Sequence, residues 1–88
     1  MKWTVSFTKS ARKNLAGLSS KGRDRVLKFL TKRVVDHPDP RVLAKRLKGL
    51  EEELWRFRVG DLRIIARISE GEMTILVIEV GHRREFYR

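Results

Sequence analysis

Three apolar segments, separated by short turn sequences, constrain the fold of this chain more than any other feature. They are "LWRFRV" at residues 54–59, "LRIIARIS" at 62–69 and "MTILVIEV" at 73–80, all rich in β-branched, aromatic and leucine residues. The links "GD" and "EG" between them are two-residue sequences suited to tight hairpin turns. The second half of the chain is therefore predicted to be a meander of three antiparallel strands.

The first half of the chain shows a different periodicity. "KWTVSF" at residues 2–7 alternates polar and apolar side chains, which predicts a strand. From Thr8 onward the apolar residues recur at helical spacing in two series, which predicts a helical hairpin. Ser19 or Ser20 is expected to cap the second helix, which must end before "HPDP" because proline disfavours helix. The charged connection at residues 41–53 is expected to contain a short helical turn.

These segments predict an α+β fold in the order β-α-α-β-β-β, with a small, mostly antiparallel sheet and the helical hairpin packed on one face. A chain of 88 residues has room for one core, so residues 1–88 are interpreted as a single domain. The last strand is apolar on both faces, which places it in the centre of the sheet beside the first strand.

The hairpin turn at residues 60–61 decides which side chains share a face. It places Arg58 across from Arg63 and Trp55 across from Ala66, with the apolar side chains toward the helices. We therefore expect Trp55 to pack in the core rather than stack on a nucleobase. The opposite face carries four arginines: Arg56, Arg58, Arg63 and Arg67.

The same alternation assigns the faces of the last strand. The residues predicted to join the core are Met73, Ile75 and Val77, and those predicted to lie on the arginine side are Thr74, Leu76, Ile78 and Val80. Leu76 and Ile78 would then need a cover, either from the end of the chain or from a partner.

Charge indicates the kind of partner. The formal net charge is +10, which attracts polyanions, so nucleic acid is the leading candidate, ahead of an anionic membrane or an acidic protein. No stretch approaches the roughly 20 apolar residues that span a bilayer, and no signal peptide is recognisable at the start, so a cytoplasmic protein without membrane contact is expected. Cysteine is absent, and His37 and His82 lack metal-ligand spacing, so neither a metal nor a cofactor is expected.

The arginine side is the strongest functional candidate, although a merely solvated sheet surface is the simpler alternative. Acidic residues are expected to be missing from it, and arginine binds phosphate through a fork of donors that lysine lacks. The segment "KRLKG" offers further cations, Lys45, Arg46 and Lys48, for which phosphate binding and an exposed connector are equally plausible. The adjacent acids Glu51, Glu52 and Glu53 are interpreted as a solvated run.

The chain resembles RelE-type toxins of the RelE/ParE toxin–antitoxin superfamily. The resemblance rests on the element order, on "LKGL" leading into "LWRFRVGDLRIIARI", and on the ending "VGHRREFYR". It implies a metal-independent endoribonuclease that enters the ribosomal A site and cleaves mRNA, together with an acidic RelB-like antitoxin as partner. In the implied reaction the ribose 2′-hydroxyl attacks the adjacent phosphate, leaving a 2′,3′-cyclic phosphate and a 5′-hydroxyl.

The resemblance also implies roles for individual residues. Arg56 and Arg58 match two basic positions of the family on one strand, and Arg63 matches an arginine on the next. The best-known members have lysines at the first two positions. Because arginine hardly gives up its proton, the three arginines are assigned to holding the phosphate and stabilising its transition-state charge.

Proton transfer then needs another residue, and His82 is the candidate because an imidazole titrates near neutral pH. Arg83 and Tyr87 match the basic residue and the tyrosine that follow the last strand in the family. The predicted catalytic set is therefore Arg56, Arg58, Arg63, His82, Arg83 and Tyr87. The predicted RNA-binding set is Lys45, Arg46, Lys48, Arg67 and Arg84.

Two other functions are considered alongside the nuclease. One is a ParE-like toxin that inhibits DNA gyrase by protein binding, and the other is a catalytically inactive basic module that binds RNA or protein. The resemblance favours the nuclease, because gyrase-directed members generally lack the arginine set with "HRREFYR" in this form. Fold alone could not separate the two, since function depends on the site rather than on the scaffold.

Overall fold

The computed structural model of the protein describes residues 2–48 and 53–82. Its strands are β1 (Thr4–Phe7), β2 (Ala44–Arg46), β3 (Trp55–Val59), β4 (Leu62–Ser69) and β5 (Thr74–His82). Its helices are α1 (Lys9–Gly17) and α2 (Ser20–Lys28), and α2 continues as a π-helical segment, Phe29–Val34. A short 3₁₀ turn, Pro40–Leu43, confirms the helical turn expected in the connection. No helix in the described ranges is long and apolar enough to cross a membrane.

The five strands form one sheet in the order β1-β5-β4-β3-β2. β1 pairs with β5 in parallel, and the other neighbours are antiparallel. The predicted α+β class and the central position of the last strand beside the first are confirmed. β2 was not predicted, because "AKR" is too short and too charged to show an apolar alternation. It forms by pairing with β3, which places Lys45 across from Arg56.

Each helix is capped at its start by a side chain that accepts a hydrogen bond from a backbone amide of the first turn. The Thr8 side chain accepts a hydrogen bond from the Ala11 amide, and the Ser19 side chain accepts one from the Gly22 amide, each at 3.1 Å. The predicted cap at Ser19 is confirmed. The helical hairpin ends before Pro38, as proline requires.

The helices cover one face of the sheet and form the core with it. Phe57 of β3 is fully buried, and its ring meets that of Phe29 edge-to-face, with the centroids 5.8 Å apart. The buried core residues are Trp3, Ala11, Leu15, Val26, Leu30, Val34, Phe57, Leu62, Ile64, Ala66, Ile75, Val77 and Val80. Trp55 lies on the predicted face, across from Ala66. It is only half-buried and is not part of this cluster, because its partner on the edge strand β2 is Arg46.

One of the two predicted turns is confirmed and the other is wrong. At the first, Val59 pairs with Leu62, and Gly60 has a φ of 58°, which glycine adopts without steric cost. At the second, Ser69 pairs with Thr74, so the link is the four residues 70–73 rather than "EG" alone. It is closed by a hydrogen bond of 3.2 Å from the Met73 amide to the Glu70 carbonyl. Because the register changes by two residues, the predicted faces of Ile75 and Val77 are unaffected.

A β-bulge changes the second half of β5. Ala66 pairs with Val77 and Ile65 pairs with Glu79, which leaves Ile78 as an extra residue between them. Beyond the bulge the two faces are exchanged, so the predicted position of Val80 on the arginine side is wrong. Val80 is 3% exposed and belongs to the core.

Candidate nucleic-acid interface

The sheet surface away from the helices carries a row of cations on three neighbouring strands. Arg58 and Arg63 are directly paired across β3 and β4, as predicted from the turn. The unpredicted strand β2 adds Lys45 to this surface, across from Arg56. We call this surface the arginine face; its cations are Lys45, Arg56, Arg58, Arg63 and Arg67.

The cations of the arginine face differ in exposure. Arg63 is 3% exposed, whereas Arg58 and Arg67 are exposed and Arg56 is half-buried. Burial restricts side-chain rotamers, so the Arg63 side chain is more confined than the exposed side chain of Arg58. The face thus combines one buried guanidinium with more exposed cations around it, which an approaching phosphate would meet first.

The arginine face also carries one carboxylate, that of Glu79. Because of the bulge, Glu79 pairs with Ile65 and is exposed on this face. The expectation that its strands lack acidic residues is therefore wrong. Among the described strand residues, Glu79 is the one acidic side chain on the arginine face.

Hydrogen bonds from the start of α1 hold the bulge in place. The Thr8 amide donates to the Val77 carbonyl at 3.0 Å, and the Thr8 hydroxyl donates to the Ile78 carbonyl at 3.1 Å. On the other side of the bulge, the Val80 amide donates to Oδ1 of Asn14 at 3.1 Å. The helix therefore satisfies backbone groups that an unpaired residue would leave without a ladder partner. Neither Thr8 nor Asn14 signals this role by its local sequence pattern, because the contacts join residues more than 60 positions apart.

The bulge places His82 on the opposite side of the sheet. His82 pairs with Leu62, a core residue, and so projects from the helix-facing side. There it lines a cavity of about 220 Å³ together with Lys21, Arg25 and Asp61. The structure therefore places His82 and the cations of the arginine face on different surfaces. A role for His82 in proton transfer stays a prediction.

The other predicted site residues fall in three places. Arg46 is paired with Trp55 on the helix-facing side, with its Nε 4.0 Å from a carboxylate oxygen of Glu53, and so lies off the arginine face. Lys48 is exposed after β2. Arg83, Arg84 and Tyr87 lie outside the described residues. Within residues 2–48 and 53–82, no three His, Asp or Glu side chains lie together as a metal site would require.

An ion-pair cluster joins the 3₁₀ turn to the β4–β5 link. Oδ1 of Asp39 accepts hydrogen bonds from the backbone amide of Arg41 at 3.3 Å and from its Nε at 3.1 Å. The Arg41 guanidinium also pairs with Glu70. The hydrogen bond from the Arg41 side chain lowers the pKa of Asp39 below its ordinary value. This cluster connects the segment that leads into β2 with the β4–β5 link.

The fold matches solved toxin structures along nearly the whole chain. The toxin–antitoxin complex RelBE2 from Mycobacterium tuberculosis matches at 26% identity with a TM-score of 0.85, covering 94% of this chain and 93% of the other. The archaeal RelE–RelB complex from Pyrococcus horikoshii matches at 27% identity with a TM-score of 0.70, covering 94% and 97%.

A third structure, the intact RelBE toxin–antitoxin complex of Escherichia coli, matches at 20% identity with a TM-score of 0.71, covering 91% of this chain and 95% of the other, and shows the fold alone. A comparison with curated protein sequences gave no significant match.

The family is shown by the sequence as a whole. Residues 5–87 match the family described as the ParE toxin of the type II toxin–antitoxin system, parDE. The RelBE2 and archaeal RelE–RelB structures, each above 25% identity, are RelE-type complexes, so both branches of the superfamily are represented among the similarities. The chain therefore belongs to the ParE toxin family of type II toxin–antitoxin systems, within the RelE/ParE superfamily.

Proposed function

We propose that this toxin is a ribosome-dependent endoribonuclease that cleaves mRNA in the A site and so inhibits translation in the cytoplasm. The observation that carries the proposal is the arginine face, where Arg58 and Arg63 oppose each other and Arg56 opposes Lys45. Cations on paired strands can contact one anion from both sides. The phosphodiester of a single RNA strand supplies such an anion.

The proposed chemistry is attack of a ribose 2′-hydroxyl on the adjacent phosphate. The charge on the phosphoryl oxygens increases in the transition state, and the forked donors of Arg63 and Arg56 are suited to stabilising it. Arg58 and Lys45 are assigned to holding the RNA backbone on either side. Arg83 and Tyr87 of the following segment are proposed to complete the site, with Arg67 and Arg84 as further RNA contacts.

Docking on the ribosome is supported by a second concentration of charge, on the helices. Within residues 9–34 Asp24 is the one acid, and the cations are Lys9, Arg12, Lys13, Lys21, Arg23, Arg25, Lys28, Lys32 and Arg33. All of these cations except Arg23 are exposed. The helices lie on the side of the sheet opposite the arginine face. The protein is thus suited to bind folded ribosomal RNA with one side and a messenger strand with the other.

An acidic antitoxin is the proposed protein partner. Solved relatives were crystallised as complexes with RelB-type antitoxins. In this chain Leu76 lies on the arginine face, paired with Arg67 and only half-buried. A partner that covers Leu76 with an apolar side chain and presents carboxylates to the arginines would block the site, and its association would weaken with salt.

Mapping the 5′ ends of transcripts after induction of the toxin tests the proposal. New 5′-hydroxyl ends are expected at codons in the A site of translating ribosomes, and Arg63→Ala is expected to remove them. Purified stalled ribosomes provide the matching test in vitro, where Arg63→Ala should cleave about 10²- to 10³-fold more slowly. Absence of new ends in cells that stop growing would exclude the nuclease.

The second candidate function is inhibition of DNA gyrase by protein binding. The observation behind it is that the matching family is named for ParE toxins. An assay of DNA supercoiling by purified gyrase separates the two functions. The nuclease predicts no inhibition at toxin concentrations that cleave mRNA on ribosomes, whereas the gyrase inhibitor predicts the opposite pattern. An inactive basic module predicts neither effect.

A further inference from the structure

The proposed reaction requires a group that accepts a proton from the 2′-hydroxyl. Arginine is a poor candidate, because its guanidinium keeps its proton far above neutral pH. His82 lies on the other side of the sheet. The acceptor must instead be close to the cations that hold the phosphate, because the 2′-oxygen is next to the phosphorus that it attacks.

Glu79 meets this positional requirement. It pairs with Ile65, which in turn pairs with Arg56, so all three side chains lie in one row across the arginine face. Two residues further along β5, Gly81 pairs with Arg63, which makes Glu79 and Arg63 diagonal neighbours. Diagonal neighbours on adjacent strands lie about 7–8 Å apart, within reach of long side chains. A phosphate held by Arg63 would thus have a carboxylate beside it.

Two further features support a functional role for this carboxylate. A carboxylate on a phosphate-binding surface repels RNA and so weakens its binding. We therefore expect one there only if it has a role that offsets this cost. Its location also depends on the bulge at Ile78, which the Thr8 hydroxyl and the Asn14 side chain hold in place. Bulges next to active sites commonly serve to re-aim a side chain.

We propose that Glu79 is the general base of the reaction, an inference that rests on the proposed nuclease function. The carboxylate removes the 2′-hydroxyl proton as the 2′-oxygen forms its bond to phosphorus and the bond from phosphorus to the 5′-oxygen breaks. Water protonates the departing 5′-oxygen. The hydroxide so formed takes the proton back from Glu79, which restores the carboxylate and leaves a 2′,3′-cyclic phosphate and a 5′-hydroxyl.

Glu79→Gln tests the proposal because the amide has the same shape but cannot accept the proton. The experiment measures single-turnover cleavage on stalled ribosomes across a range of pH, with RNA binding and thermal unfolding measured on the same preparations. Glu79→Gln should cleave about 10²- to 10⁴-fold more slowly. It should bind RNA as tightly as the parent or more tightly, since a negative charge has been removed. Glu79→Asp, which keeps the carboxylate, should recover part of the rate.

Glu72→Gln is the matched control. Glu72 is exposed in the β4–β5 link and accepts a hydrogen bond from Ser69, so its substitution makes the same change in net charge away from the proposed site. The role of Glu79 is overturned if Glu79→Gln cleaves within about threefold of the Glu72→Gln control, or if its rate loss is matched by unfolding. If the parent itself does not cleave, both the proposed function and the role of Glu79 fail. Cleavage by the parent and by Glu79→Gln at equal rates removes only the role of Glu79.

Discussion

His82 pairs with Leu62 across β5 and β4, so its imidazole projects from the side of the sheet that the helices cover. Arg63, the residue after Leu62, has its side chain on the other face. We therefore expect His82→Ala to reduce ribosomal cleavage by less than about tenfold, below the usual effect of removing a general acid or base. Single-turnover cleavage at saturating toxin measures this directly.

The pH dependence of cleavage is a second measurement on the His82→Ala variant. If His82 does not transfer the proton, the parent and His82→Ala will have pH profiles of the same shape. A change in the shape of the profile together with a rate loss above about 10²-fold would show that His82 reaches the reaction from the helix-facing side.

Arg58 and Arg63 oppose each other directly across β3 and β4. We therefore predict that this pair lowers the free energy of unfolding while it contributes to RNA binding. Replacing Arg58 with threonine, a good strand residue, should raise the free energy of unfolding by about 0.2–1 kcal/mol, because it removes a like-charge pair. The same variant should bind single-stranded RNA less tightly. Thermal unfolding and RNA titrations on one preparation check both effects; a variant that is less stable than the parent contradicts the electrostatic explanation.

Asn14 accepts a hydrogen bond from the Val80 amide. Loss of this acceptor should disturb the end of β5. Asn14→Leu leaves that donor without its partner and should destabilise the protein by about 1–3 kcal/mol. Asn14→Asp keeps an acceptor oxygen and is the matched control, with a smaller loss expected. Thermal unfolding measures the difference, which should amount to roughly 4–8 °C per kcal/mol for a domain of this size.

The Asn14 variants also test the link between the bulge and the site. Because Val80 lies next to Glu79, Asn14→Leu should reduce cleavage by more than its loss of folded protein accounts for, when both are measured well below the unfolding temperature. Equal specific activity of the folded fractions of Asn14→Leu and Asn14→Asp would contradict that link.

The parts of the fold that depend on local alternation were predictable from sequence, and those that depend on distant contacts were not. Gly60 and the alternation of Phe57 and Ile64 determine the β3–β4 hairpin, so the arginines were placed correctly. The bulge at Ile78 depends on Thr8 and Asn14, which lie more than 60 residues earlier, and "TILVIEV" alternates regularly enough to conceal it. One extra residue reverses every later side chain, which is why Val80 was assigned to the wrong face and why an acid was not expected on the arginine side.

Asp39 gives the protein a pH-dependent contribution to stability. Its pKa is lowered in the folded state, mainly by the hydrogen bond from the Arg41 side chain. A lowered pKa means that the stabilisation is fully present above the unfolded value, near 3.8, and is lost as pH falls through the folded value. Asp39→Asn, which keeps the acceptor for the Arg41 amide, should therefore be less stable than the parent at pH 6, and the difference should shrink below pH 4. Urea unfolding at both pH values measures it; a difference that grows in acid would reverse the assigned sign.

Substitutions on the basic surface of the helices should weaken ribosome binding without slowing the cleavage step. Lys28 and Lys32 are exposed and one helical turn apart, on the side of the molecule away from Arg63. Replacing both with glutamine should weaken ribosome binding and make log Kd less steeply dependent on log salt, by about 0.7–0.9 for each phosphate that the variant no longer neutralises. The cleavage rate at saturating toxin should stay within about twofold of the parent, because the arginine face is untouched. Arg63→Ala should show the converse, with most of its loss in the rate. A double variant whose affinity and salt dependence equal those of the parent would mean that the ribosome does not bind this surface.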